Sequence, residues 1–314
     1  MKTLLGAALI VLVLLGCTVT AQAQTNTTPK QLLEALATNR LKDAVKLAQT
    51  VTDVNYCDKS GATLLMCSAE AGAEDVCRVL LDRGADHGHR AVNGTTSLYI
   101  AAQNGHEEVV KILVEKGAAT DLQPDNGATP LIVASEYGHT DIVRLLAEQG
   151  ANTNLQDNHG STALILASQN GYAEIVSILL EKGTDLNIVD KNDASALVLA
   201  AQEGNTEIVR LLLEQGAITD LQTVNGNTAL ILASLKGHLE IVKMLLDKGT
   251  QVDLKAATGA TALFAAASRG NSQVVTMLLE KGADPLVKDS QGKTAYMYSK
   301  DYTVKSILTA WSKK

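Results

Sequence analysis

The residues best suited to bind a metal in this 314-residue chain are His87 and His89, which are separated only by Gly88. In an extended segment, side chains two residues apart point the same way, so both imidazoles could share one face. Cys57, in an earlier loop, could supply a softer third ligand. These residues support an alternative hypothesis, a metal-dependent or other enzyme, against the simpler interpretation of two exposed loop histidines.

A second motif, Gly292-Lys293-Thr294, resembles the end of a phosphate-binding loop. That loop needs a glycine five residues before Gly292, where Val287 stands, and it also needs a preceding strand. The sequence contains no G-x-S-x-G or C-x-x-C motif, and its acidic residues recur singly. We therefore expect no enzyme activity, no catalytic residue, no metal site and no cofactor.

Glycines divide most of the chain into units of 33 residues. We call the first glycine of each unit position 1, and Asp193 takes its place in one unit. The position-1 glycines are Gly61, Gly94, Gly127, Gly160, Gly226, Gly259 and Gly292. Position 3 is Thr or Ser in every unit, which is typical of a helix N-cap, and glycines at positions 12 and 24 are typical of helix ends. The nine turn-rich residues before each position 1, which we call a finger loop, are expected to project as a hairpin.

The repeated pattern G-x-T-A-L-x-x-A-S-x-x-G-H-x-E-I-V-x-x-L-L-x-x-G resembles the ankyrin repeat, most clearly from Gly127, Gly160 and Gly226. The resemblance implies an all-α fold, an ankyrin-repeat α-solenoid of helix-turn-helix units with hairpin-like finger loops. It also implies protein–protein interaction. The histidine of the family's T-P-L-H motif is absent throughout, and its proline occurs only at Pro130. We therefore expect the stack to depend more on aliphatic packing.

These patterns predict four segments: a signal peptide over 1–23, an N-terminal capping unit over 24–60, seven full 33-residue repeats over 61–291 and a C-terminal capping unit over 292–314. Solenoid ends lack a neighbour and need an atypical sequence. We interpret the aromatic residues of the last unit as end-cap packing, with recognition as the alternative. They are Tyr296, Tyr298, Tyr302 and Trp311.

The first residues predict export. Lys2 precedes an apolar run, and small residues follow up to Ala23, a pattern typical of a secretory signal peptide. An alternative is a bacterial lipobox, Leu14-Leu15-Gly16-Cys17, with lipidation of Cys17. Both interpretations place the chain outside the cytoplasm: in the periplasm of a Gram-negative host, secreted, or anchored to a membrane if Cys17 is lipidated.

Three thiols remain after either form of processing, those of Cys57, Cys67 and Cys77, and an odd number cannot all pair within one chain. Cys67 and Cys77 occupy places that are apolar in other repeats, so we expect buried thiols there; a Cys67–Cys77 bridge is the alternative.

The formal charge of −7 argues against nucleic acid or an anionic membrane surface as the partner. The hydrophobic content of 46% argues against intrinsic disorder.

The resemblance further implies binding through finger loops and exposed first-helix residues on a concave face. Transferred by register, positions 10 and 11 predict these partner-binding residues: Gln103, Asn104, Glu136, Tyr137, Gln169, Asn170, Gln202, Glu203, Leu235, Lys236 and Arg269. Glu70 and Ser268 share this register, and the finger loops add Asn93, Asn126, His159, Asn192 and Asn225. Tyr137 and Leu235 resemble interface anchors.

We expect a monomer that binds another protein of unidentified type. Three kinds of role fit an exported scaffold: supporting an envelope or stress-defence enzyme, neutralising a toxin, or engaging a host protein.

Overall fold

The computed structural model describes residues 27–313. The predicted signal peptide and the lipobox at Cys17 lie outside the described residues. Eighteen α-helices lie within the described range. Their bounds are α1 Pro29–Ala37, α2 Leu41–Thr50, α3 Leu64–Glu70, α4 Glu74–Asp82, α5 Ser97–Asn104, α6 Glu107–Glu115, α7 Pro130–Tyr137, α8 Thr140–Glu148, α9 Ala163–Asn170, α10 Ala173–Glu181, α11 Ala196–Glu203, α12 Thr206–Glu214, α13 Ala229–Lys236, α14 Leu239–Asp247, α15 Ala262–Arg269, α16 Ser272–Glu280, α17 Ala295–Tyr298 and α18 Tyr302–Trp311.

The chain forms two compact units, with the boundary between Asn158 and His159. Each unit has two layers of helices. In the first unit, the odd-numbered helices α1 to α7 pack side by side, and the even-numbered helices α2 to α8 form the second layer. The second unit is built the same way from α9 to α18. This arrangement confirms the predicted fold class, a solenoid of paired helices.

The core between the layers is almost entirely aliphatic. Leu98, Leu131 and Leu164, all at position 5, are buried, as are Ile132 and Ile165 at the position where the family has histidine. Burial of one such side chain stabilises the fold by roughly 1.5–3 kcal/mol. The expected reliance on aliphatic packing is therefore confirmed.

Most first helices of the repeats begin as predicted. At six of the position-3 residues the hydroxyl accepts the backbone N–H three residues later, at 3.2–3.4 Å. The six are Thr63, Thr96, Thr129, Thr162, Ser195 and Thr228. Thr261 and Thr294 are the exceptions, since neither side chain makes a capping bond.

The helix ends depend on left-handed residues, also as predicted. Gly105, at position 12, ends α5 with φ of +78°. The same region is occupied by two residues that are not glycine, Asn39 and Asp193, with φ of +55° and +56°. Both stand where the repeat pattern calls for glycine, so the backbone conformation of the repeat is kept even where its usual residue is replaced.

The finger loops are short hairpins, as expected. In one of them, the Ala91 N–H donates to the Thr95 carbonyl at 2.9 Å. Neighbouring finger loops are joined by a backbone bond as well: the Val92 N–H donates to the Ser60 carbonyl at 2.9 Å. Equivalent bonds recur at 2.8–3.0 Å in both units.

Cys67 and Cys77 are buried free thiols, which confirms the preferred interpretation over a bridge. Burial raises the pKa of each thiol to about 12.

In the last helix pair, the Tyr298 ring packs on Phe264 with centroids 5.9 Å apart. Tyr302 is 87% exposed, so the prediction of end-cap packing is wrong for this residue.

No helix within residues 27–313 is both long and apolar enough to cross a membrane.

Candidate functional site

The two histidines considered for metal binding are half-buried rather than exposed. His89 Nε2 lies 3.0 Å from the Gly61 carbonyl oxygen, so this ring joins its finger loop to the position-1 residue of the same repeat. His87 Nδ1 is buried without a hydrogen-bond partner. Across residues 27–313, no group of three or more His, Cys, Asp or Glu side chains is placed to hold a metal ion. The described residues therefore do not bring a third ligand to His87 and His89.

The motif Gly292-Lys293-Thr294 forms part of a repeat. The Asp289 N–H donates to the Lys293 carbonyl at 2.9 Å and closes a finger hairpin, and Thr294 precedes α17. A phosphate-binding loop would instead need a strand before it, and the described part of the chain contains no strand here.

The predicted partner-binding residues lie at the C-terminal ends of the first helices. We call positions 10 and 11 of the repeats the repeat-end row. In the first unit the row contains Gln103, Asn104, Glu136 and Tyr137, together with Glu70. In the second unit it contains Gln169, Asn170, Gln202, Glu203, Leu235, Lys236 and Arg269. The position-11 side chains from Asn104 to Arg269 are exposed, whereas those at position 10 are mostly half-buried.

The two predicted anchors differ. Tyr137 is 37% exposed at the end of α7, and its ring centroid lies 6.4 Å from that of His139. Leu235 is half-buried, so it is less exposed than Tyr137. Tyr137 is therefore the stronger anchor of the two.

In several repeats, the residue at position 13 of the following repeat fixes the backbone beneath the row. His106 Nε2 lies 3.0 Å from the Glu70 carbonyl oxygen, and His139 Nε2 lies 3.1 Å from that of Gln103. In the second unit His238 makes the same contact with the Gln202 carbonyl at 3.3 Å. These carbonyls belong to the last turn of a helix and lack an intrahelical partner. The three histidines therefore share one structural role, which is to hold the last turn of the preceding first helix.

Asparagine performs the same function in two repeats of the second unit. Asn205 Nδ2 donates to the Ser168 carbonyl at 2.8 Å, and Asn271 Nδ2 donates to the Ser234 carbonyl at 3.0 Å. The Ser168 and Ser234 carbonyls lie one residue before the carbonyl that histidine contacts, and Asn205 Nδ2 also donates to the Gln169 carbonyl at 3.2 Å, at the position that histidine uses. We call this set of position-13 contacts the helix-end clamps.

Sequence reasoning missed Tyr99, which joins a first helix to a finger loop. Its hydroxyl accepts a hydrogen bond from Asn126 Nδ2 at 2.9 Å. Burial raises the pKa of Tyr99, and the nearby Tyr137 and Glu136 add to that rise. A tyrosine at position 6, where no other repeat has a side chain with a hydroxyl, is the signal that could have pointed to it. Tyr99 therefore places Asn126, Glu136 and Tyr137 in one neighbourhood of the first unit.

Glu70 is the most perturbed acid in the row. Burial raises its pKa from 4.5 to about 7, and its Oε2 atom is buried without a partner. Because desolvation penalises the charged form, this carboxyl accepts a proton more readily than an exposed one. Glu70 is thus a half-buried polar group in the repeat-end row.

Family models match most of the chain. The model described as ankyrin repeats (3 copies) matches residues 32–124, 117–190 and 182–256, and the model described as ankyrin repeats (many copies) matches residues 245–298. No curated protein matches the chain. Ankyrin repeats generally mediate protein–protein interaction and are typically non-catalytic.

Two similar solved structures are ankyrin repeat domains. The human ASB11 ankyrin repeat domain is 29% identical, with a TM-score of 0.62, and the match covers 69% of this chain and 98% of that chain. The ankyrin repeat domain of Bcl-3, described as a unique member of the IkappaB protein family, is 31% identical, with a TM-score of 0.61, and the match covers 69% of this chain and 99% of that one. With its repeats, its paired helices and these likenesses, the chain belongs to the ankyrin repeat family.

Proposed function

We propose that this chain is a non-catalytic scaffold that binds another protein through the repeat-end row and the finger loops. It acts as a monomer outside the cytoplasm. Membership of the ankyrin repeat family supports a binding role, because such repeats generally mediate protein–protein interaction. The apolar segment and small residues before Gln24 support export.

The observation that carries the proposal is the contrast between backbone and side chains in the row. The helix-end clamps hold the backbone of one repeat to the next at 2.8–3.3 Å. The exposed side chains at position 11 nevertheless differ widely in type, from Asn104 and Tyr137 to Glu203, Lys236 and Arg269. A fixed backbone loses little entropy on binding, so variable side chains on it can select a partner at low cost.

Charge varies along the row. In the first unit it combines amides and acids with the Tyr137 ring, while in the second unit it becomes basic at Lys236 and Arg269. A partner that matches the first unit offers hydrogen-bond donors around an apolar pocket for Tyr137. Opposite the basic pair of the second unit, the partner offers carboxylates.

Site-specific photo-crosslinking tests the proposal in the native envelope fraction. A photoreactive residue replaces Asn104, Asn170 or Glu203 in the row, or Lys111 or Lys243 on the exposed faces of second helices as matched controls. We expect one partner protein to crosslink from the row positions and not from the controls. Tyr137→Ala should reduce that crosslink about tenfold, as for a binding hot spot. Equal crosslinking from row and control positions would contradict the proposed surface.

A further inference from the structure

The C-terminal helix pair is basic in an otherwise acidic chain. Residues 293–314 contain five lysines and a single acid, Asp301, although the whole chain has a formal charge of −7. The Asp301 carboxylate is engaged locally, because its Oδ1 accepts the Val304 N–H at 2.9 Å and caps α18. This end of the chain therefore carries a local positive charge that the repeats before it do not share.

A groove of about 480 Å³ lies on this helix pair. Its walls combine aromatic rings, hydroxyls and lysines, contributed by Tyr296, Tyr302, Lys305, Ser306, Thr309 and Lys313. We call it the C-terminal groove. Tyr302 is 87% exposed and Tyr296 is 43% exposed, so large ring surfaces are left in contact with water. Rings with one apolar body and one polar tip are common in protein-binding sites.

Neither lysine of the groove is neutralised, and Lys305 is also held in place. Lys305 Nζ lies 5.3 Å from the centroid of the Tyr296 ring, a cation–π contact. Within residues 27–313, neither Lys305 nor Lys313 forms an ion pair with a carboxylate. Since the contact with Tyr296 orients the Lys305 ammonium without cancelling its charge, the groove offers a positioned cation beside exposed rings.

We propose that the C-terminal groove binds an acidic peptide segment of a partner protein. Lys305 lies within α18 and Lys313 lies two residues past its end, an eight-position interval that would rise about 12 Å if it were fully helical. An extended peptide spans that distance in about four residues, so two carboxylates four residues apart match the two lysines. An apolar side chain between those carboxylates lies against Tyr302. This surface is separate from the repeat-end row, and its function does not depend on the partner of that row.

The charge distribution favours a peptide over other anions. Nucleic acid and anionic membranes extend well beyond the groove, where the two preceding repeats, residues 226–291, are close to neutral and add little attraction. A short segment contacts the local lysines alone. The concave form of the groove also accommodates a side chain better than it does a flat lipid surface.

Fluorescence anisotropy with the purified full chain tests the proposal. The probe is the fluorescein-labelled peptide Gly-Ser-Glu-Ala-Leu-Ala-Glu-Ser-Gly, and its matched control has Gln at both Glu positions. We expect the Glu peptide to bind about tenfold more tightly than the Gln peptide at low salt, and the difference to shrink as salt is added. Equal binding of the two peptides would overturn the proposal.

Variants locate the binding. Lys305→Glu with Lys313→Glu should weaken binding of the Glu peptide about tenfold, and Tyr302→Ala about threefold. The double variant Lys182→Glu with Lys243→Glu makes the same change of charge at two exposed positions, Lys243 within α14 and Lys182 directly after α10, and should leave the affinity unchanged. Equal weakening by the two double variants would mean that net charge alone attracts the peptide, and the proposal would fail.

Two further measurements test whether a membrane or a second copy of the chain occupies the C-terminal groove instead of a peptide. Binding to phosphatidylserine vesicles that outcompetes the peptide and needs Lys305 and Lys313 would assign the groove to a membrane instead. Sedimentation would detect a second copy of the chain as the occupant. If the chain self-associates, loses that association in the Lys305/Lys313 variant and does not bind the peptide, the peptide assignment is wrong. Circular dichroism of each variant confirms that loss of binding is not loss of fold.

Discussion

The helix pair Ala229–Asp247 and the last pair, Ala295–Trp311, start from similar repeat positions but end differently. In the inner pair, α13 has eight residues, ends at Gly237 with φ of +80° and is bonded by Asn271 of the following repeat. In the last pair, α17 has four residues and ends at Ser299 in an extended conformation. The comparison indicates that a following repeat supplies the partners that complete a first helix. The last pair has no such partners within residues 27–313, and there the first helix is short and its neighbouring rings are exposed.

The largest expected effect comes from replacing glycine with alanine at position 1 of an inner repeat and at position 1 of the last unit. Gly259 and Gly292 both occupy position 1, with φ of +79° and +74°. A Cβ at Gly259 would lie 2.8 Å from Ser290 N and 3.0 Å from Asp289 Cα, whereas a Cβ at Gly292 meets no atom within 4 Å.

We therefore expect Gly259→Ala to cost about 2–5 kcal/mol, from left-handed strain and backbone overlap together. Gly292→Ala should cost about 1–2 kcal/mol, from the strain alone. Urea unfolding followed by circular dichroism measures both. Equal costs would show that the following finger loop does not constrain position 1.

A helix-end clamp is expected to have a smaller effect. His238→Ala removes the contact with the Gln202 carbonyl and should destabilise the fold by about 1 kcal/mol, the net value of one hydrogen bond. His238→Asn is the matched control, because Asn205 and Asn271 serve the same position. Urea midpoints of the two variants give the comparison. If Asn proves as destabilising as Ala, the clamp does not explain why inner helices are longer than α17.

The smallest effect concerns Glu70, whose backbone carbonyl is bonded by the following repeat. Its pKa is about 7 in the folded chain against 4.5 for the ordinary group, so the folded state holds the proton more tightly. Stability from this group is present below pH 4.5 and is lost as the pH rises through about 7. Glu70→Gln should therefore stabilise the chain increasingly over that interval, by on the order of 1 kcal/mol at pH 8, since half-exposure screens the charge.

Urea midpoints at pH 4.5, 6 and 8 measure the Glu70 effect. Glu115→Gln, which removes an exposed carboxylate at the end of α6, is the control. A Glu70→Gln difference that stays constant with pH would contradict desolvation of this carboxyl.

Periodicity predicted the fold well, because every repeat meets the same neighbours and shares one pattern. The N-caps at Thr63 and Thr96 and the buried thiols Cys67 and Cys77 followed directly from register. The sequence predicted less about the C-terminal helix pair, where the repeat pattern stops. Tyr302 was assigned to packing, because no later repeat in the given sequence indicates which face of α18 is covered.

The candidate site was predicted only in part. Register located the repeat-end row, but it could not show that Leu235 is half-buried or that Tyr99 bonds Asn126. Both depend on side-chain directions and on partners distant in sequence, such as the 27 residues between Tyr99 and Asn126. The protein-binding role of the row remains a prediction.

The backbone bonds between finger loops constrain how such a gene can change length. Each finger loop donates from the residue two before position 1 and accepts at the residue one before it, as Val92 does to Ser60 and Asp125 to Asn93. Donors and acceptors therefore recur with the same interval of 33 residues. Duplication or deletion of 33 residues by recombination leaves every remaining backbone N–H of this set opposite a carbonyl. An insertion of any other length within a finger loop moves one N–H away from its carbonyl. The chain can therefore gain or lose whole repeats in evolution more easily than single residues in these loops.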